Sequence, residues 1–163
     1  MLKDDLQPET MSDCIRLRGC YEIGVYDTNG NLVDYRKVDN VVVTSGRSYV
    51  LSRLVSGSPQ TDVISAIAVG TVTTAPVTGD TLLGSEVLRI AIASFVTTGL
   101  TANPPSWQAQ CTFDTSQANT TLGEAGLFNL TASKVQTMLS HVTFATINKT
   151  TSNTLAISYT ISN

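Results

Sequence analysis

Leu155, Ile157, Tyr159 and Ile161 alternate without interruption with Ala156, Ser158 and Thr160. A period of two puts every second side chain on one face of a strand, and no helix gathers those four apolar residues on one side. The same alternation returns in Trp107, Ala109, Cys111 and Phe113, set against Gln108, Gln110 and Thr112. Strands of this kind bury one face and leave the other polar, which is the habit of antiparallel sheets rather than of parallel α/β folds.

The remaining segments extend that pattern. Tyr21, Ile23 and Val25 alternate with Glu22, Gly24 and Tyr26, and Asp27-Thr28-Asn29-Gly30-Asn31 supplies a turn before Leu32, Val33, Tyr35 and Val38 return. Asn and Gly tolerate the positive φ that such a turn needs, so a β-hairpin is expected between Ile15 and Val38. Further strands are expected over Val63–Val69, Glu86–Thr98, Leu122–Phe128 and Met138–Phe144, with Thr71–Asp80 as a loop. One helix is expected over residues 45–56, capped by Thr44 or Ser45, with Val50, Leu51, Leu54 and Val55 as its apolar stripe and Gly57 as its stop. Seven or eight strands at this spacing predict a mainly β chain, an antiparallel β-sandwich or jelly roll with one short inserted α-helix.

A length of 163 residues suits one core. Residues 1–13 lack periodicity and carry acids around Pro8, so a flexible arm is expected there, followed by a single sandwich domain over 14–163. Those acids also stand where a secretory signal would need an apolar run, and no stretch reaches the length of a membrane span. The expectation is synthesis in a reducing cytoplasm, with no membrane partner.

Charged residues make up only 14% of the chain, against about 25% in an ordinary domain, and Thr, Ser and Asn fill their place. A net charge of -3 gives no basic field for phosphates, so nucleic acid is not an expected partner. A hydroxyl-rich surface of low charge suits packing against other protein subunits.

The residues that carry chemistry are few. His141 is the one histidine, and no G-x-S-x-G signature accompanies any serine, so a structural role is expected for it. Cys14, Cys20 and Cys111 lack metal-ligand spacing and are read as small buried or half-buried residues, with Cys14 and Cys20 the pair to watch for a disulfide. Glu86 and Glu124 are the one carboxylate pair worth testing as a glycosidase pair. Trp107 is a candidate sugar platform, although its alternation with Cys111 and Phe113 favours the core. The glycines of Gly70–Gly84 and Gly123–Gly126 match no phosphate-binding loop and are read as turn glycines. Asn119, Asn129 and Asn148 begin N-x-[ST] triplets that arise by chance in so Asn- and Thr-rich a chain. No catalytic residue, metal ligand or cofactor is assigned.

Three segments, in order, resemble the small structural proteins of tailed bacteriophages. The first runs from Gly19-x-Tyr21 through the hairpin turn to Asn40-Val41-Val42-Val43-Thr44-Ser45-Gly46. The second joins Ile64-Ser65-Ala66-Ile67-Ala68-Val69-Gly70 to Thr73-Thr74-Ala75-Pro76, Asp80-Thr81-x-Leu83 and Glu86-Val87-x-Arg89. The third is Glu124-Ala125-Gly126-Leu127-Phe128-Asn129, followed by Met138–Phe144 and the alternating end of the chain. The resemblance spans about residues 19–161 and implies a virion protein without catalytic residues. A capsid decoration (cement) protein, trimeric and bound to the major capsid protein, is the leading expectation. A collar, neck, baseplate or tail-fibre component is the second, and a carbohydrate-binding module at the host surface is the third.

Overall fold

The computed structural model describes residues 16–55, 62–130 and 136–163, so the expected arm, Cys14 and Gly57 lie outside the described residues. Among the described residues ten strands form two antiparallel five-stranded sheets. The strands are β1 (Arg18–Asp27), β2 (Leu32–Asp39), β3 (Val41–Val42), β4 (Ile64–Gly70), β5 (Glu86–Ala91), β6 (Ser94–Val96), β7 (Ser106–Phe113), β8 (Thr121–Asn129), β9 (Met138–Asn148) and β10 (Asn153–Ser162). The first sheet runs β2-β1-β10-β7-β6 and the second β3-β9-β8-β4-β5. The chain is a β-sandwich, as its alternation predicts.

The apolar half of each alternating strand faces inward. Tyr21 and Ile23 of β1, Ala109 and Phe113 of β7, and Leu155, Ile157 and Tyr159 of β10 are all buried. Ile67, Val69, Leu122, Ala125 and Leu127 of the second sheet join them in one core. Each large side chain buried there contributes roughly 1.5–3 kcal/mol through the apolar surface it removes from water. The β1–β2 hairpin closes as its residues dictate. Asp27 accepts hydrogen bonds from the backbone N–H groups of Asn29 (2.8 Å) and Asn31 (2.9 Å), and Gly30 supplies a φ of 83°.

Three features depart from the sequence reading. The apolar run expected as one strand over Glu86–Thr98 is two strands in different sheets. Between them the N–H of Ile92 donates to the Ser65 carbonyl on β4 (2.8 Å) and that of Ala93 to the Gln110 carbonyl on β7 (2.8 Å). The chain thus turns a corner of the sandwich with the N–H groups of both corner residues satisfied, one by each sheet. The two-residue strand β3 is the second departure, too short to show any alternation.

The third is the helix, α1 (Thr44–Ser52). Its N-cap is Val43 and no side chain caps it; the Ser45 hydroxyl donates instead to the Met138 carbonyl at 2.9 Å. Tyr49 and Val50 pack against the core, but Leu51, Leu54 and Val55 are 57%, 73% and 58% exposed. Because the helix leans on β9 at the end of the sandwich, only part of its apolar stripe meets the sheet.

Candidate functional site

The middle of the second sheet's outer face is closed to solvent. Residues 71–85, of which Thr71–Asp80 were expected as a plain loop, lie across it as a covering layer. Beneath them Leu83 joins Val43, Ala66, Ala68, Phe128 and Met138 in a second, smaller core. Two ionisable residues from neighbouring strands hold this layer down. Glu124 on β8 and His141 on β9 point away from the main core, and both are buried.

Glu124 has no solvent exposure, yet its carboxylate is fully supplied with donors. Oε1 accepts from the backbone N–H groups of Ser85 (2.8 Å) and Val72 (3.3 Å), and Oε2 from the N–H of Gly84 (2.9 Å). One side chain therefore ties the start of the layer to its end. His141 continues the chain of contacts: Nε2 lies 3.0 Å from Glu124 Oε2, and Nδ1 lies 2.8 Å from Asp80 Oδ2. Asp80 sits in the middle of the layer, where its carboxylate also accepts from the Val77 N–H at 2.9 Å. The strand below makes room. A Cβ at Gly70 would collide with the Glu124 carboxylate and the Ser85 carbonyl, so only glycine allows this close approach.

Each ring nitrogen of His141 faces a carboxylate oxygen, so each contact needs a hydrogen. A neutral imidazole supplies one; the second comes from an imidazolium or from a protonated carboxyl group. Both nitrogens are thereby occupied, and none is left to take a proton from a nucleophile. They lie on opposite edges of the ring, so Asp80 and Glu124 do not converge with His141 on a common ion. Among the described residues no group of His, Cys, Asp and Glu is placed to hold a metal.

Burial raises the Asp80 carboxyl, but the Val77 N–H and His141 together outweigh it and hold it below the ordinary value. A carboxyl depressed in the folded state adds stability above its unfolded pKa and loses it as pH falls through the folded one. Asp80→Asn is therefore expected to be less stable than the parent at about pH 7, with the gap closing below about pH 4. Urea denaturation across that range is the measurement; a gap that stays constant would show that Asp80 contributes no charge-dependent contact.

The other candidates are distributed as follows. Glu86 lies on β5, partly exposed and paired with Arg89 at 2.7 Å, while Glu124 lies two strands away, beyond β4. With Glu124 sealed from solvent, no sugar or water reaches both carboxyls. Trp107 is half-buried and packs against the core, its ring 6.0 Å from Tyr159 and 6.0 Å from Phe95. Cys111 faces the core, where burial pushes its thiol up to about 12, and Cys20 lies half-buried on the outer face of the first sheet. Asn129 is buried and accepts from the Thr137 N–H at 2.5 Å. Lys149 is also buried; its ammonium donates to the Asp114 carbonyl (2.6 Å) and to Asn119 Oδ1 (3.0 Å), which fixes the β7–β8 connection.

No family model, curated protein or solved structure matches the chain.

Two surfaces stand out among the described residues. One is apolar and lies at the end of the sandwich beside α1. A groove of about 510 Å³ there is lined by Leu17, Tyr49, Leu54, Phe95, Leu100 and Trp107, among others. The other is the outer face of the first sheet, which is polar. Sequence reading did not anticipate the layer over residues 71–85, although a signal existed. Glu124 and His141 each stand among apolar residues of adjacent strands, and a buried ionisable group demands a partner.

Proposed function

We propose that this chain is a non-enzymatic structural protein of a tailed-phage particle, and within that class a capsid decoration protein acting through protein–protein contacts. The observation that carries the reading is the apolar end of the sandwich. Leu51 on the helix and Leu54 and Val55 beyond it, with Val63, Phe95 and Leu100, are all at least 47% exposed. In a chain with only 14% charged residues, such a cluster is the kind of surface that marks an assembly contact.

The order of sequence segments that resemble those of tailed-phage structural proteins supports the same reading. So does the way His141 and Glu124 are consumed in holding the fold. A rigid sandwich would seat its apolar end against neighbouring subunits, as a homotrimer where capsomers meet. The symmetry of a shell would then multiply a modest contact many times over.

Quantitative mass spectrometry of purified particles tests this. The chain is expected at a copy number near that of the major capsid protein, or at a simple lattice fraction of it. A ratio lower by an order of magnitude would move the chain to the neck or tail, and complete absence from particles would overturn the virion reading.

A further inference from the structure

The outer face of the first sheet is built row by row from the strand register. One row reads Ser94, Gln110, Ser158, Glu22 and Lys37 across β6, β7, β10, β1 and β2. The next reads Thr112, Ala156, Gly24 and Tyr35. Small residues at Ala156 and Gly24 leave a trough of about 300 Å³ in the middle of an otherwise side-chain-covered face. That volume is at the lower limit of small-molecule sites, roughly 300–1,000 Å³.

Two tyrosines border the trough. Tyr26 folds back along the sheet over Gly24: a Cβ built there would stand 2.9 Å from Tyr26 Cε2 and 3.2 Å from its hydroxyl. Glycine is thus what lets an aromatic ring lie along the face instead of standing off it. Tyr35 projects from β2 and is 46% exposed. Along the other side the side chains form a neutral amide and hydroxyl ladder. Ser94 donates to Gln110 (3.2 Å), Gln110 to Gln108 (2.7 Å) and Gln108 to Thr160 (3.2 Å). The charges beside the trough cancel, because Glu22 and Lys37 are paired at 2.8 Å. The Ser158 hydroxyl is buried beneath them and makes no hydrogen bond among the described residues.

We propose that this trough is a binding site for a neutral, pyranose-based oligosaccharide. A pyranose has an apolar C–H face, which an aromatic ring lying along the sheet accepts, and a rim of hydroxyls that both donate and accept. Gln110 and Thr112 offer both roles at that rim. Rigid tyrosines supply contact area at low entropic cost. The paired charges leave no field to select an anionic or cationic ligand. The site differs from one built on Trp107, which is turned into the core edge, and it does not depend on where the chain sits on a particle.

The test is nitrogen-15 NMR on the full chain, titrated separately with maltotetraose, cellotetraose and tetra-N-acetylchitotetraose to about 10 mM, since single-site sugar contacts of this size bind weakly. At least one is expected to shift the signals of Gly24, Tyr26, Gln110, Ala156 and Ser158. Tyr26→Ala is expected to weaken that binding tenfold or more, while Tyr26→Phe, which keeps the ring, preserves it. Gly24→Ala, which displaces the ring, weakens it while the rest of the spectrum stays that of the folded chain. No shift with any of the three sugars, or shifts centred on Trp107 instead, would overturn the proposal. Because the experiment uses isolated protein, its failure leaves the particle reading intact.

Discussion

Glu124→Ala is expected to cost the fold about 3–5 kcal/mol, the usual penalty for removing one member of a buried ionic contact and stranding the other. The carboxylate accepts from Val72, Gly84, Ser85 and His141, and it has no solvent exposure, so water does not replace it without opening the layer. Each N–H left without an acceptor adds about 1–3 kcal/mol of its own if the layer stays closed. The layer will therefore lift, and the loss will stop at whatever residues 71–85 were contributing. Glu124→Gln separates charge from shape. Both oxygens accept hydrogen bonds, so the amide must turn its NH2 toward a donor, and a loss of about 2 kcal/mol is expected. Urea denaturation measures the cost, and hydrogen exchange at Val72, Gly84 and Ser85 shows where it falls. A Glu124→Ala chain within about 0.5 kcal/mol of the parent, in the range of ordinary surface substitutions, would mean that the layer is held by its apolar contacts alone.

How far this arrangement can be read from sequence depends on the kind of signal each part carries. The β1–β2 hairpin and β10 are legible because alternation is a local consequence of one buried face, and Gly30 in a turn is a local consequence of positive φ. The corner at Ile92 and Ala93 is not. Nothing in that β-branched run breaks a strand, and the change of sheet is decided by which carbonyls, those of Ser65 and Gln110, are in reach. The covering layer is hidden for a different reason. Its Thr, Pro and Gly content describes a loop correctly but says nothing about what lies underneath. Read as turn residues, Gly70 and Gly126 are in fact strand residues, needed because Glu124 and Phe128 pass close over the sheet. The usable clue was joint: Glu124 and His141 both sit at positions where the strand pattern calls for burial. Taken singly, each is an oddity; taken together on adjacent strands, they require a partner above the sheet, and Asp80 is that partner.

Phe128→Ala is expected to destabilise the chain by about 3–5 kcal/mol, as much as a residue of the central core, although Phe128 lies on the outward side of its sheet. Its side chain is fully buried among Ala66, Ala68, Leu83 and Met138. Above it the Arg89 guanidinium stands 3.8 Å from the ring centroid, held there by Glu86 at 2.7 Å and 3.1 Å. Truncation would empty the small core and remove the aromatic face that Arg89 covers. The second contribution can be isolated, since Arg89→Ala should cost less in the Phe128→Ala background than in the parent, by roughly 0.5–2 kcal/mol. If residues 71–85 were merely draped over a finished sandwich, Phe128→Ala would cost below about 1 kcal/mol, because the ring would already be close to solvent. A large cost instead makes the layer a third stratum of the fold, fixed by an apolar core at one point and by Glu124 and His141 at another. That distinction bears on function. With the middle of the second sheet's outer face committed to the fold, the surfaces left among the described residues include the apolar end beside α1 and the polar face of the first sheet.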